Sequence, residues 1–353
     1  MSPENNDKTI KITLDDLANV TAPDLDSLAP ATQSTGGTKV YGSINEPADP
    51  KTQVAEEKGS ILLQAWFYLG LAGLLGALAA WGICEPRFID NGGYAWGNWF
   101  MIPLIVAMLC LGFGIAESIV ERSAQKAVIR GLICLPLGLA PGFIFEFTAN
   151  ILFNILLTIV QEMGVQSARN PAFWIVRGIA WMVFGAAGGL VYGIVGASGK
   201  KIMYGMLGGV IGAGLGGILF DPIAMMTKGG APSRAVGFAL VGLATGIAVG
   251  LVESALKDRW LYVTAGPLAG KQFILYKPRT VMGSDQSCDI YLFKDTNILK
   301  EHAIVELAGS RIMLRAIGQT YVSGQPVRQQ VLMSGAVVQI GRYAFRYQER
   351  QRN

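Results

Sequence analysis

Charge is scarce in this sequence. Only 15% of its residues are Asp, Glu, Lys or Arg, against about 25% in an average soluble protein, so little of the chain is built to face water. The net charge of +4 is small and dispersed, which excludes the basic footprint of a nucleic-acid-binding surface. Histidine occurs once and cysteine four times. Cys84, Cys110, Cys134 and Cys288 show no metal-ligand spacing, and three of them lie in or beside apolar runs. They read as reduced packing thiols, and no metal site is expected. There is no Gly-x-Ser-x-Gly elbow and no kinase signature. The run "GASGKK" at 196–201 lacks the strand and spacing of a phosphate-cradling loop. No catalytic residue and no cofactor is expected, so the chain reads as a non-enzyme. Its polar, acidic N-terminal stretch is not a cleavable signal peptide.

What is abundant is apolar surface and glycine. Hydrophobic residues make up 51% of the chain, and there are 45 glycines where a share of about 7% would give about 25. The glycines cluster inside apolar runs, as in packed membrane helices.

Three zones follow. Residues 1–57 are rich in Asp, Thr, Ser, Pro and Gly and too poor in apolar side chains to offset ordering entropy, so a disordered tail is expected. Residues 58–257 carry six runs long enough to cross a bilayer: 61–83, 98–120, 127–147, 172–197, 201–221 and 235–256. The stretch 148–162, with two Asn, two Thr and a Gln, reads as a separate interfacial helix rather than a seventh span. Residues 258–353 alternate short apolar runs with Gly, Pro, Asp and Asn turns, the pattern of a small antiparallel β-sandwich. The fold class is therefore an α-helical polytopic membrane bundle followed by an all-β domain.

Basic residues set the orientation. With six spans, eight of them (Lys58, Arg122, Lys126, Arg130, Lys200, Lys201, Lys257 and Arg259) fall on one side. Five (Arg87, Arg169, Arg177, Lys228 and Arg234) fall on the other. The bias places both termini in the cytoplasm of a multi-pass, bacterial-type inner-membrane protein.

The spans repeat. Gly114 to Phe145 aligns without gaps to Gly188 to Leu219, with Lys126 over Lys200, and a partial third copy places Glu121 over Glu253. Three glycine stripes have helical spacing: Gly185, Gly189 and Gly193; Gly208, Gly212 and Gly216; Gly242, Gly246 and Gly250. Each lines one helix face and lets two backbones approach. Packing within one bundle is their first use, and homo-oligomerisation through one face their second. The membrane-zone carboxylates Glu117, Glu146, Asp221 and Glu253 lie near predicted helix ends and none sits at mid-depth with an obvious cation partner, so they read as interfacial groups, with proton or cation coupling as the alternative.

From Trp260 onward the residues resemble the forkhead-associated (FHA) family, β-sandwiches that bind phosphothreonine peptides through loops at one end. The scaffold residues that carry the resemblance are Gly283, Cys288-Asp289-Ile290, His302-Ala303, Thr320, Val322, Gly324, Leu332, Gly335 and Gly341. The ligand half of the pattern departs. The family's phosphate-binding Arg falls on Ser284, its phosphate-binding Ser on Leu299, its peptide-clamping Asn on Gly318 and the following Gly on Gln319. A phosphate needs charge-assisted donors. Losing the guanidinium and hydroxyl implies weak or absent phosphothreonine binding. The resemblance makes Ser284, Leu299, Lys300, Gly318, Gln319, Thr320 and Ser323 the candidate peptide-binding residues, with Arg279 as a further donor. It gives His302 and Gly283 structural roles. Two Thr-x-x-Asp sites in the tail, Thr13 to Asp16 and Thr21 to Asp24, fit an acidic preference that some FHA domains show.

The expected function is a membrane-anchored scaffold that recruits a protein partner, phosphorylated or not, through a cytoplasmic FHA-like domain. The alternatives are a phosphothreonine-responsive signalling protein and a transporter or channel regulated by that domain.

Overall fold

Among the described residues, six helices carry apolar stretches long enough to cross a bilayer, and an all-β sandwich follows them. The computed structural model describes residues 60–350 apart from 91–94, 168, 228 and 310, so the expectations for 1–57 lie outside the described residues. The helices are α1 (Ala65–Cys84), α2 (Trp96–Val120), α3 (Ala124–Glu162), α4 (Pro171–Val195), α5 (Gly199–Met226) and α6 (Gly230–Leu256). Each helix packs on the next in sequence, and α6 closes the ring on α1.

Glycine makes that closure tight. A Cβ added at Gly185 or Gly189 of α4 would strike the carbonyls of Gly209 or Gly205 on α5. Gly208, Gly212 and Gly216 of α5 meet backbone atoms of Val249, Thr245 and Val241 on α6. Gly242, Gly246 and Gly250 of α6 meet Gly73, Leu69 and Trp66 on α1. Gly193 meets Ile202. All nine glycines are therefore covered by neighbouring helices of the same chain, which leaves none of the stripes for a second copy. Backbones this close gain dispersion contacts that lipid does not replace.

The stretch after the third candidate span differs from expectation. The stretch 148–162 is not separate: α3 runs unbroken over 39 residues, about 58 Å at 1.5 Å per residue. The polar residues that mark a break in the sequence satisfy themselves. Asn154 Nδ2 donates to the Asn150 carbonyl at 2.8 Å and Thr158 Oγ1 to the Asn154 carbonyl at 2.9 Å. Their polarity is thus absorbed one turn back and does not end the helix. Only 6% of the most apolar stretch of α3 is buried, against 44–56% in the other five helices, so this helix is the bundle's most exposed wall.

The sequence repeat reappears in three dimensions, shifted by one residue. The α2–α3 and α4–α5 turns each carry a residue at positive φ, Arg122 at 58° and Ala197 at 51°. Each then caps the next helix with a serine: Ser123 accepts from the Lys126 N–H, and Ser198 from the Lys201 N–H. Lys126 is therefore equivalent to Lys201, not to Lys200. That single step decides which lysine is buried.

The sandwich pairs a six-stranded sheet, in the order β2-β1-β11-β10-β7-β8, with a five-stranded sheet, β4-β3-β5-β6-β9. The first comprises β1 (Arg259–Ala265), β2 (Gln272–Ile274), β7 (Thr320–Val322), β8 (Gln325–Pro326), β10 (Val337–Ile340) and β11 (Tyr343–Glu349). The second comprises β3 (Arg279–Gly283), β4 (Ile290–Tyr291), β5 (Ala303–Ala308), β6 (Arg311–Ala316) and β9 (Gln329–Leu332). Alternate residues of facing strands, among them Leu261, Val263, Met282, Leu314, Ile340 and Phe345, fill the space between the sheets.

Candidate functional site

The loops at one end of the sandwich converge on a single imidazole. His302, 2% exposed, accepts the Leu299 N–H at Nδ1 (3.1 Å), while its Nε2 lies 3.0 Å from the Gln319 carbonyl. An imidazole nitrogen that accepts an amide proton carries none itself, so Nε2–H donates to Gln319. The His302 carbonyl accepts from the Ile317 and Gly318 N–H groups, and its own N–H donates to the Met282 carbonyl. One residue thus ties together β3, the β4–β5 loop and the β6–β7 loop. Gly283 permits the crossing, because a Cβ there would strike the Lys300 carbonyl. A side chain at Gly318 would run into the His302 ring, so the asparagine usual in the family does not fit this packing.

His302→Ala is expected to destabilise the β-domain by about 2–4 kcal/mol, through lost hydrogen bonds and a cavity. Amide hydrogen exchange of the full chain should then rise at Leu299 and Gly318 first. Unchanged protection there would contradict the buttress.

The candidate residues separate into those the loops bring together and those they do not. Ser284, Leu299, Lys300, Gly318 and Gln319 gather around His302, with the Ser284 N–H donating to the Leu299 carbonyl at 2.9 Å. Thr320 is buried and its hydroxyl donates to the Gly318 carbonyl at 3.2 Å, so it holds the loop and offers nothing to a peptide. Ser323 lies beyond the other end of β7, in the turn with Gly324. Arg279 opens β3, at the opposite end from Ser284, and pairs with Glu306 at 3.4 Å.

The assembled end is poorly made for phosphate. Leu299 is 48% exposed and Ile317 is 51% exposed, so two aliphatic side chains stand at the apex. Lys300 is the cation of this cluster, and Asp285 stands beside it. Hydrogen bonds from Ser287 hold the Asp285 carboxyl below its usual range, which keeps a negative charge next to Ser284. Beside the β6–β7 loop, Ala316 to Thr320 and Pro326 to Arg328 line an open groove of about 500 Å³.

The β3–β4 loop that supplies Ser284 also faces the helices. The Gln286 carbonyl accepts from Ser123 Oγ at 3.3 Å, Gln286 Oε1 accepts from the Gln125 N–H at 3.1 Å, and the Asp289 carbonyl accepts from Lys126 Nζ at 3.0 Å. The four membrane-zone carboxylates do not share the environment expected of them. Glu117 is gripped by Lys201 Nζ at 2.7 and 2.8 Å and by Arg130 at 2.8 Å, and Asp221 pairs with Arg177 at 2.9 Å. Glu253 is buried. Among the four, Glu146 is half-buried. The sequence shows the carboxylates but not their partners, because Lys201 lies 84 residues from Glu117.

Comparisons with known proteins concern the β-domain. A family model described as "Inner membrane component of T3SS, cytoplasmic domain" matches residues 262–351. The chain is similar to the glycogen accumulation regulator GarA of Mycolicibacterium smegmatis, 37% identical over 86 residues, which cover 24% of this chain and 54% of that protein. It is also similar to an oxoglutarate dehydrogenase inhibitor of Corynebacterium efficiens, 34% identical over 86 residues, 24% of this chain and 60% of that protein. The match thus spans only about half the length of these curated relatives. Among solved structures, the FHA domain of the CT664 protein from Chlamydia trachomatis matches at 26% identity, over 27% of this chain and 100% of that one, with a TM-score of 0.25. The N-terminal FHA domain of S. cerevisiae Rad53p, solved with a phosphothreonine peptide, matches at 15% identity, over 26% and 94%, with a TM-score of 0.25. The C-terminal domain is FHA-like, and it is carried on six helices of membrane-spanning length.

Proposed function

We propose that this protein is a membrane-anchored scaffold that recruits a protein partner through the His302-centred end of its FHA-like domain, without reading phosphothreonine. The observation that carries this reading is the apex itself. The loops are assembled, yet the phosphate-gripping positions hold Ser284 and an exposed Leu299, with the Asp285 carboxylate alongside. An anion brought to the apex meets the flexible Lys300 beside the fixed Asp285 charge, with Arg328 set apart in the adjoining groove, whereas an apolar side chain finds Leu299 and Ile317. The basic bias of the loops supports placing the β-domain and both termini in the cytoplasm. The inner-membrane description of the matching family model supports that membrane as the location. The bundle's interior is filled by Phe113, Tyr192, Phe184 and neighbouring rings, which favours an anchor over a conduit.

The test uses the full chain in lipid nanodiscs. Titration with phosphothreonine peptides is expected to give no phosphate-dependent saturation below the millimolar range. Partner proteins co-purified from native membranes should be lost in a Leu299→Asp/Ile317→Asp variant and retained after phosphatase treatment. Loss of the partner on phosphatase treatment would overturn the reading in favour of a phosphothreonine-responsive protein.

A further inference from the structure

The two sheets of the sandwich end in four edge strands, and three of them are blunted. β8 has two residues, one of them Pro326. β4 has two residues and follows the loop that faces the helices. β2 has three, and its Gln272 side chain accepts from Lys257, just past the end of α6. β9 is different. It runs over the four residues Gln329–Leu332, without proline or charge, and lies across the sheet from β4. Half of its main chain is turned away from the sheet. The Ala316 N–H donates to the Arg328 carbonyl at 2.8 Å, and bonded and unbonded pairs alternate along an antiparallel ladder. Gln330 and Leu332 therefore bond to β6, while the N–H and carbonyl groups of Gln329 and Val331 point outward from the edge.

The sheet face beside this edge is basic. Ile312, Leu314 and Leu332 point into the core, so Arg311, Met313, Arg315, Gln329 and Val331 lie on the opposite, outer face. Arg311 and Arg315 are exposed, and so is Arg328, which leads into β9. The carboxylate that β5 adds to this face, Glu306, pairs with Arg279 of β3 at 3.4 Å. Among the described residues, Arg311, Arg315 and Arg328 enter no ion pair. A strand added to β9 would run about 10 Å from β6, two strand spacings away, a gap that an arginine and a glutamate span together.

We propose that the β9 edge docks an extended acidic segment of a partner protein, which adds as a strand through the main chain of Gln329 and Val331 and sets its carboxylates over Arg311 and Arg315. This surface is separate from the His302-centred end and does not rest on recruitment there. The main-chain bonds supply affinity that is indifferent to sequence. The arginines supply the choice of an acidic segment and help fix its register. A second copy of this chain is a poor occupant. Its own β9 carries no carboxylate, and it would bring further arginines to the seam.

The test titrates the full chain, in nanodiscs of zwitterionic lipid, with a fluorescent peptide of alternating Glu and Val. Saturable binding is expected, and none of the counterpart with Lys for Glu. Hydrogen exchange at the Val331 amide should slow on binding, because that N–H enters a new bond. Val331→Pro removes this outward donor and no bond to β6, so the sandwich should persist while the peptide binds at least about tenfold more weakly. Arg311→Glu/Arg315→Glu leaves the edge intact and should weaken binding by about tenfold or more. Binding unchanged by Val331→Pro would place the peptide elsewhere and overturn the proposal, and so would equal binding of the Lys peptide. Anionic lipid without peptide should leave Val331 exchange unchanged. If that lipid slows it, the arginines face the bilayer and the proposal falls. Should Val331→Pro fail to fold, the charge-reversed variant and wild-type exchange at Val331 still decide, since unchanged values in both would sink it.

Discussion

Gly189→Leu should abolish the folded bundle, while Gly188→Ala, one residue away, should leave it intact or slightly more stable. The contrast follows from what each Cβ would meet. At Gly189 it would land on the Gly205 carbonyl and, at 2.5 Å, on the Met206 nitrogen. These are main-chain atoms of a facing helix, so no side chain can rotate away. At Gly188 it would find nothing within 4 Å. Overpacking a well-filled core costs about 1–3 kcal/mol even where side chains can yield. With backbone on both sides the cost belongs at or above about 3 kcal/mol. The same two helices then lose contact at Gly185 and Gly193, because separating the backbones at one crossing opens the whole stripe. An alanine at Gly188 instead gains up to about 1 kcal/mol of helix propensity. Thermal denaturation of purified protein, followed by loss of the monodisperse peak in size-exclusion chromatography, separates the two variants. Equal midpoints would mean that the stripe does not set the packing distance.

Glycine periodicity was legible because a helix repeats its faces every turn, and the residue's one physical effect at such a position is close approach. The sequence does not say which helix each stripe meets. That depends on the circular order of six helices, which no local pattern encodes. The β-domain's scaffold was legible for a related reason. Gly283 and His302-Ala303 each answer to a fixed constraint: a backbone crossing at Gly283, and one ring shared by three loops at His302.

Elsewhere, composition gave the wrong cue. Thr148, Asn154 and Thr158 lower the hydropathy of 148–162 enough to imply a break, but their side chains fold back onto carbonyls one turn earlier and α3 continues. The gapless repeat placed Lys126 over Lys200, because sequence alignment rewards matched letters and ignores helix phase. Backbone geometry, through the positive-φ residue and the serine cap, places Lys201 there instead. The consequence is large. The side chain of Lys200 is 53% exposed and pairs with Asp258 near the surface, whereas that of Lys201 is 4% exposed.

That buried lysine supports the other large effect. Glu117→Ala should cost about 3–5 kcal/mol, the usual range when one member of a buried ion pair is removed and its partner stays charged. Glu117 carries two cations, so its loss strands both Lys201 and Arg130. Arg130 retains some relief, because its guanidinium reaches Ser118 Oγ at 3.4 Å and its side chain is 20% exposed. Lys201 has the Tyr192 ring at 4.3 Å, which offsets part of the loss. The double variant Glu117→Ala/Lys201→Met removes the stranded charge and should recover most of the lost stability, since replacing a whole buried pair by apolar groups is often neutral. A double-mutant cycle on thermal unfolding in detergent measures the coupling. If the double variant is no more stable than Glu117→Ala alone, the pair is not what holds this end of the bundle together.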